Sequence, residues 1–233
     1  MSSSHMKRLA MPRSWPLPRK TTIWVSRPRP CGHPIERCMA LGVILRDILG
    51  VAQTIREAKR VLATRQVRVD GEIVTDIRRG VGLMDVLTVA DTNYRCMLDM
   101  NGKLRYVEIP AKQAGEKLCR IDGKTTVRGG KTQLNLHDGR NILVDDANKY
   151  NSRDTIRIVV DSQKVKKHHK FENGVLAYLI GGSHIGSTAE VTEYFKKRSS
   201  KDNEVAFAEF GTIAVHVFVI GGAGDIPSME VSE

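Results

Sequence analysis

Long apolar runs are missing from this 233-residue chain, and their absence removes the first class of function. The longest, Ile213–Ile220, is broken by His216 and falls well short of the ~18 residues that a spanning helix needs, so no membrane partner is expected. Residues 1–30 are interrupted throughout by Arg, Lys and Pro where a secretory leader needs an unbroken apolar core, which predicts a cytoplasmic address. Cysteine is scarce too. Cys31, Cys38, Cys96 and Cys119 are too few and too scattered for a disulfide framework, in keeping with a reducing compartment.

Signatures of catalysis are also lacking. Gly123, Lys124, Thr125 and Gly130, Lys131, Thr132 resemble the end of a phosphate loop, but Leu118 and Thr125 stand where its opening glycine belongs. Gly181-Gly182 and the Gly221–Gly224 cluster open no helix, so neither forms a dinucleotide fingerprint. His33, His137, His184 and His216 have no companion nucleophile in a recognisable context. Cys31, His33 and Cys38 offer soft ligands without the short Cys-x₂₋₄-Cys pair of a zinc site. No enzyme, metal or cofactor is expected.

What is present is positive charge: 37 Lys and Arg against 26 Asp and Glu leave a net +11. A field of that sign concentrates phosphate before contact is made, so the expected partner is a polyanion. The 41% of apolar residues still suffices for packed cores.

The charge is unevenly spread. Residues 1–37 hold eight cations (Lys7, Arg8, Arg13, Arg19, Lys20, Arg27, Arg29, Arg37) against one acid, Glu36, together with six of the eight prolines. Proline fixes φ and removes a donor, so this segment reads as an extended basic arm. Trp15 and Trp24 lie among its cations, where aromatic faces can stack on unpaired bases or, in the alternative, dock onto the protein itself. Such an arm would order on binding, and its removal should leave a folded protein with weaker RNA affinity.

The pattern then turns helical, with apolar residues at three- and four-residue spacings over Ile35–Leu49. Thr54 and Glu57 form a capping-box pair that starts a second helix, with Ile55, Ala58, Val61 and Leu62 as its apolar face. Arg56, Lys59 and Arg60 recur on the other face as a cationic stripe. An alternating stretch, 66–77, bends at Asp70-Gly71 as a hairpin flanked by Arg65, Arg68, Arg78 and Arg79, and Asp85–Val89 adds a strand.

Thr54–Leu62, Val67–Gly71 and Val81–Val86 resemble the S-four-type RNA-binding domain, in which two helices and the following hairpin form the RNA-facing surface. The flanks narrow the resemblance. His5–Trp15, Trp24–Pro30, Leu45–Leu49 and Gly82–Val86 are similar to the ribosomal protein S-four-e family, a small-subunit family of archaeal and eukaryotic type. The likeness implies a structural ribosomal protein whose partners are small-subunit rRNA and neighbouring ribosomal proteins, monomeric outside the ribosome. An RNA-modifying enzyme or its accessory, or a free RNA-binding translation regulator, are the alternatives.

Downstream, Tyr94–Asp99, Lys103–Ile109, Asn141–Asp145 and Thr155–Asp161 read as strands, with turns at Gly123, Gly129, Gly130 and Gly139. Val175–Gly186 followed by Ala189–Val191 resembles a KOW motif, a strand–loop–strand element of small β-barrels. The Lys164–Lys170 run before it reads equally as a phosphate clamp, with Lys164, Lys166 and Lys167 as contacts, or as a solvated linker. Residues 199–233 hold one Lys against six acids and should face away from RNA or meet a basic protein.

The expected fold is α+β and mostly β. Its parts are the arm (1–37), a helical-plus-hairpin RNA-binding module (38–90), a central β domain (91–165) and a KOW-containing small β-barrel with an acidic end (166–233).

Overall fold

A computed structural model describes residues 4–222, which form two compact units, 4–97 with 103–117 and 98–102 with 118–222. Part of the acidic end, 223–233, lies outside the described residues. No helix among the described residues is long and apolar enough to cross a membrane.

The first unit opens with an antiparallel pair, β1 (His5–Lys7) and β2 (Trp24–Ser26), in which Met6 stands opposite Val25. The expectation of an extended arm is corrected here. Met11, Trp15 and Val25 are buried, Trp15 to 1% exposure, and its indole N–H donates to the Cys38 carbonyl at 2.9 Å. Proline prevents a long helix or ladder but does not prevent burial, because each one removes an amide that would otherwise need a partner inside.

The first predicted helix is corrected in its first half only. Residues 38–40 form β3 (Cys38–Ala40), and only from Leu41 does the chain coil, through α1 (Leu41–Val43) into a wide turn closed by the Leu49 N–H on the Ile44 carbonyl at 2.9 Å. Cys38–Leu45 is buried at every position, so its apolar residues mark no single face, and the helical spacing misleads over Cys38–Ala40 while it holds from Leu41 on. α2 (Ile55–Ala63) follows as expected, with Ala58 and Leu62 inward.

Six strands come next: β4 (Val67–Val69), β5 (Glu72–Ile73), β6 (Gly80–Gly82), β7 (Val86–Val89), β8 (Thr92–Leu98) and β9 (Leu104–Ile109). Five make one sheet in the order β5-β4-β7-β8-β9, while β6 pairs with β3. Asp70 and Gly71 both take positive φ, 48° and 77°, the geometry that lets a two-residue turn match strand twist. A short helix, α3 (Ala111–Ala114), ends the unit's fold before β10 (Glu116–Thr126) begins.

In the second unit β10 is the middle strand of a five-stranded sheet with β11 (Thr132–Leu136), β12 (Asn141–Val144), β13 (Thr155–Val159) and β14 (Val165–His169), in the order β12-β11-β10-β13-β14. Cys119, Ile121, Leu134, Leu136, Tyr150, Ile156 and Ile158 form its core. Gly123 is not a turn: it lies within β10, at an irregularity in the register against β11. The Lys164–Lys170 run is neither a linker nor a loop, since most of it is β14, antiparallel to β13.

The remaining strands are β15 (Leu176–Leu179), β16 (Thr188–Glu190), β17 (Glu193–Phe195), β18 (Glu204–Ala206), β19 (Gly211–Ile213) and β20 (Val217–Val219). They form two three-stranded sheets, β16-β15-β20 and β17-β18-β19, over a core that includes Leu179, Val191, Val205 and Phe207. The loop between β15 and β16 turns at Gly186, φ +83°, where a Cβ would stand 2.6 Å from the Asp99 carbonyl. The Tyr178 hydroxyl adds to that join by accepting from the Leu98 N–H at 2.9 Å and donating to its carbonyl at 2.7 Å.

Candidate nucleic-acid interface

The start of α2 is set by its cap. The Thr54 hydroxyl accepts from the Glu57 N–H at 3.2 Å, and the Glu57 carboxylate accepts from the N–H groups of Gln53 and Thr54 at 2.8 and 3.3 Å. These bonds hold the Glu57 carboxyl below its ordinary range, so it stays ionised at the helix N-terminus. With the apolar face inward, Arg56, Lys59 and Arg60 all stand exposed.

The stripe continues past the helix. Arg65 is exposed and takes a left-handed backbone, φ 59°, its N–H bonded to the Leu62 carbonyl at 3.1 Å. That is a position where glycine is usual, and a side chain there costs about 1 kcal/mol. Arg68 follows on β4, outward between the buried Val67 and Val69.

Behind the hairpin lies a buried ionic cluster. Lys117 donates to Asp70 at 2.7 Å and to Asp85 at 2.6 Å, and none of the three is more than 7% exposed. Asp70 also accepts from the Val86 N–H, and Asp85 from the Gly82 N–H, both at 2.8 Å, while His33 Nε2 lies 2.9 Å from Asp85. Burial alone would raise Asp85, but Lys117 and His33 hold its carboxyl well below the carboxylate range. Asp70 is pushed up by burial and by Asp85, against Lys117. Burial would lower His33, and the Asp85 carboxylate reverses that, so its pKa is raised. Hydrogen-bonded on both oxygens, Asp70 and Asp85 fix the hairpin turn and the entry to β7, and with them the position of Arg68. Sequence reasoning took Asp70 for a turn residue only and missed Lys117, which stands at the head of the mixed stretch Leu118-Cys119-Arg120-Ile121 and carries no mark of its partners.

Three comparisons bear on this arrangement. Residues 2–36 match the RS4NT (NUC023) domain, 43–87 the S4 domain and 90–165 the Ribosomal family S4e. The small ribosomal subunit protein eS4 of Methanocella arvoryzae is 40% identical over 227 residues, covering 95% of each chain. That of Methanocaldococcus jannaschii is 40% identical over 230 residues, 93% of each. The chain belongs to the ribosomal S4e family. The crystal structure of the 30S ribosomal protein S4e from Thermoplasma acidophilum superimposes with a TM-score of 0.72 at 33% identity, covering 81% of this chain and 97% of that one.

Against the S4e fold the expected contact residues divide into groups. Arg56, Lys59, Arg60, Arg65 and Arg68 are brought together by α2 and the hairpin, and Lys7, Arg13, Lys20 and Arg27 are exposed on the amino-terminal segment. Two expectations are corrected. Arg8 is 6% exposed, its guanidinium donating to the Pro18 carbonyl at 2.6 Å and the Thr22 hydroxyl at 2.9 Å, and Trp15 is sealed in the core. Both answer to their own chain, because a planar donor fork and a large indole are what a segment poor in amides needs to fill its interior.

Arg19 donates to the Leu9 carbonyl at 2.9 Å, Arg29 pairs with Asp76 at 2.7 Å, and Arg78 donates to the Arg27 carbonyl at 3.1 Å. Arg79 is half-buried, 3.8 Å from Glu72. Arg29 and Arg78 join the amino-terminal segment to the hairpin end. Lys164, Lys166 and Lys167 are exposed in the second unit, the last two on β14. Trp24 is 53% exposed, with the His5 ring edge-on at 4.7 Å.

Among the described residues, one ligand-like group escaped the sequence reading. Cys119, His137 and Asp138 bring a thiol, an imidazole nitrogen and a carboxylate oxygen within 4.8 Å of one another. The Asp138 carboxylate already accepts from the Cys119 thiol at 3.5 Å and the Arg140 N–H at 3.1 Å, which makes it the cap of the β11–β12 turn.

Proposed function

We propose that this chain is a structural component of the small ribosomal subunit, not an enzyme, and that it holds small-subunit rRNA through the face formed by α2 and the β4–β5 hairpin. The observation that carries the reading is the run of five exposed cations, Arg56, Lys59, Arg60, Arg65 and Arg68, on elements fixed from behind by the Lys117 cluster. A rigid cationic face suits recognition by shape, because double-stranded RNA presents its phosphates and 2′-hydroxyls more readily than its base edges. Lys7, Arg13, Lys20, Arg27 and the exposed Trp24 extend the contact along the amino-terminal segment, and Lys164, Lys166 and Lys167 give the second unit its own phosphate contacts. Neighbouring ribosomal proteins are its other partners. Outside the ribosome it is a cytoplasmic monomer with no affinity for membranes.

The test is the salt dependence of binding to small-subunit rRNA. Each phosphate contact contributes about 0.7–0.9 to the slope of log K against log salt, so Arg56/Lys59/Arg60→Ala should lower the slope by about two to three. A variant with unchanged slope and affinity removes the stripe from the interface.

A further inference from the structure

The first unit also holds two thiols that the RNA-facing surface does not use. Cys38, on β3, is buried, and Cys31, seven residues earlier, is partly exposed. A Cβ placed on Gly80 would stand 2.3 Å from Cys31 Sγ and 3.5 Å from Cys38 Sγ, so both sulfurs crowd the space that this glycine leaves open. Cys31 Sγ also lies 4.0 Å from the His33 carbonyl oxygen, to which its thiol can donate. His33, the third soft ligand of the segment, has its Nε2 2.9 Å from Asp85, and among the described residues it forms no three-ligand group with the two thiols.

The two sulfurs differ in chemistry. The hydrogen bond from Cys38, working against burial, brings the Cys31 thiol down from 9.0 to about 6, while the same bond and burial push Cys38 far up. Of the two, the partly exposed Cys31 ionises the more readily and the buried Cys38 keeps its proton. That is the division between an attacking and a resolving cysteine.

We propose that Cys31 and Cys38 are a modification site at which a hydroperoxide closes an intramolecular disulfide. The Cys31 thiolate attacks one peroxide oxygen: an S–O bond forms, the O–O bond breaks, and hydroxide leaves to take a proton and become water. The Cys38 sulfur then attacks the resulting sulfenic acid. An S–S bond forms, the S–O bond breaks, and the departing hydroxide takes the Cys38 proton as a second water. The two thiols lose two electrons, and one hydrogen peroxide is reduced to two waters. The bond links the end of the amino-terminal segment to β3, and a dithiol reductant reopens it.

The full-length protein treated with hydrogen peroxide at pH 7, then denatured and alkylated, gives the test. Trypsin cuts after Arg37, between the two cysteines, so the disulfide is read as two joined peptides, 2 Da lighter than their sum, with Cys96 and Cys119 alkylated. Cys38→Ser removes the resolving thiol and should leave Cys31 as a sulfenic acid that dimedone labels several-fold more than in the wild type; Cys31→Ser should abolish both signals. The proposal is overturned if Cys31 proceeds to sulfinic acid while Cys38 stays free, if Cys31 pairs with a second molecule instead, or if neither thiol reacts at peroxide levels that oxidise glutathione.

Discussion

Residues 4–37 and 54–79 carry eight and seven Lys and Arg, respectively, yet the two stretches use them differently. In the first, Arg8 turns inward to the Pro18 carbonyl and Arg19 bonds the Leu9 carbonyl at the surface; in the second, five cations face solvent and only Arg78 and Arg79 are half-buried. The cause is the backbone. A proline-rich segment lacks the amides that would saturate its carbonyls, so guanidinium groups take their place as donors. Helix α2 saturates its own carbonyls, which leaves its side chains to other partners. Density of charge alone does not distinguish an internal donor from an external contact; the local supply of backbone donors does.

The largest test of that contrast is Trp15→Ala. Emptying a site of this size in a packed interior costs about 3–5 kcal/mol, which chemical denaturation would register as a lowered midpoint with little change in slope. Arg56/Lys59/Arg60→Ala should leave the midpoint nearly unmoved, since surface changes stay within about 0.5 kcal/mol each. If the two variants lose equal stability, the contrast fails. Deleting residues 1–30 should likewise unfold much of the first unit, contrary to what an extended arm would do.

A smaller effect separates the anchor from the face. With the folded pKa of His33 raised above 6.5, its pairing with Asp85 contributes fully below that pH and is lost as pH rises through the folded value. Cys31, whose folded pKa lies near 6, contributes in the opposite sense between about 6 and 9 and has to be removed to see it. In a Cys31→Ser background Tm should therefore fall as pH rises above about 6.5, and His33→Gln should flatten that dependence without moving the salt slope of RNA binding. A dependence that survives His33→Gln assigns the proton elsewhere.

Much of this was legible in the sequence. The capping box at Thr54, the turn at Asp70-Gly71 and the stripe on α2 were all readable because each depends on residues within four positions of one another. What escaped depended on partners far along the chain: Trp15 on the Cys38 carbonyl, Asp70 on Lys117, and Cys38–Ala40 on Gly80–Gly82 as a strand partner. An apolar run buried on every side carries no period, and a turn aspartate carries no mark of the lysine it will meet. The cations of the amino-terminal segment were the hardest to read, since an arginine that will bond a carbonyl looks the same as one that will meet a phosphate.

Arg65 gives the finest form of the contrast, because one residue there carries both a backbone cost and an exposed charge. Its left-handed φ of 59° suits glycine, so Arg65→Gly should make the protein about 0.5–1 kcal/mol more stable, which a shift in denaturation midpoint would detect. The same change removes one cation from the face and should reduce the salt slope of rRNA binding by a little under one. Stability and affinity would then move in opposite directions at a single site, as expected where strain is kept for function. A variant that gains stability and binds rRNA as tightly as before, with the same slope, would show that Arg65 caps the helix and does nothing at the interface.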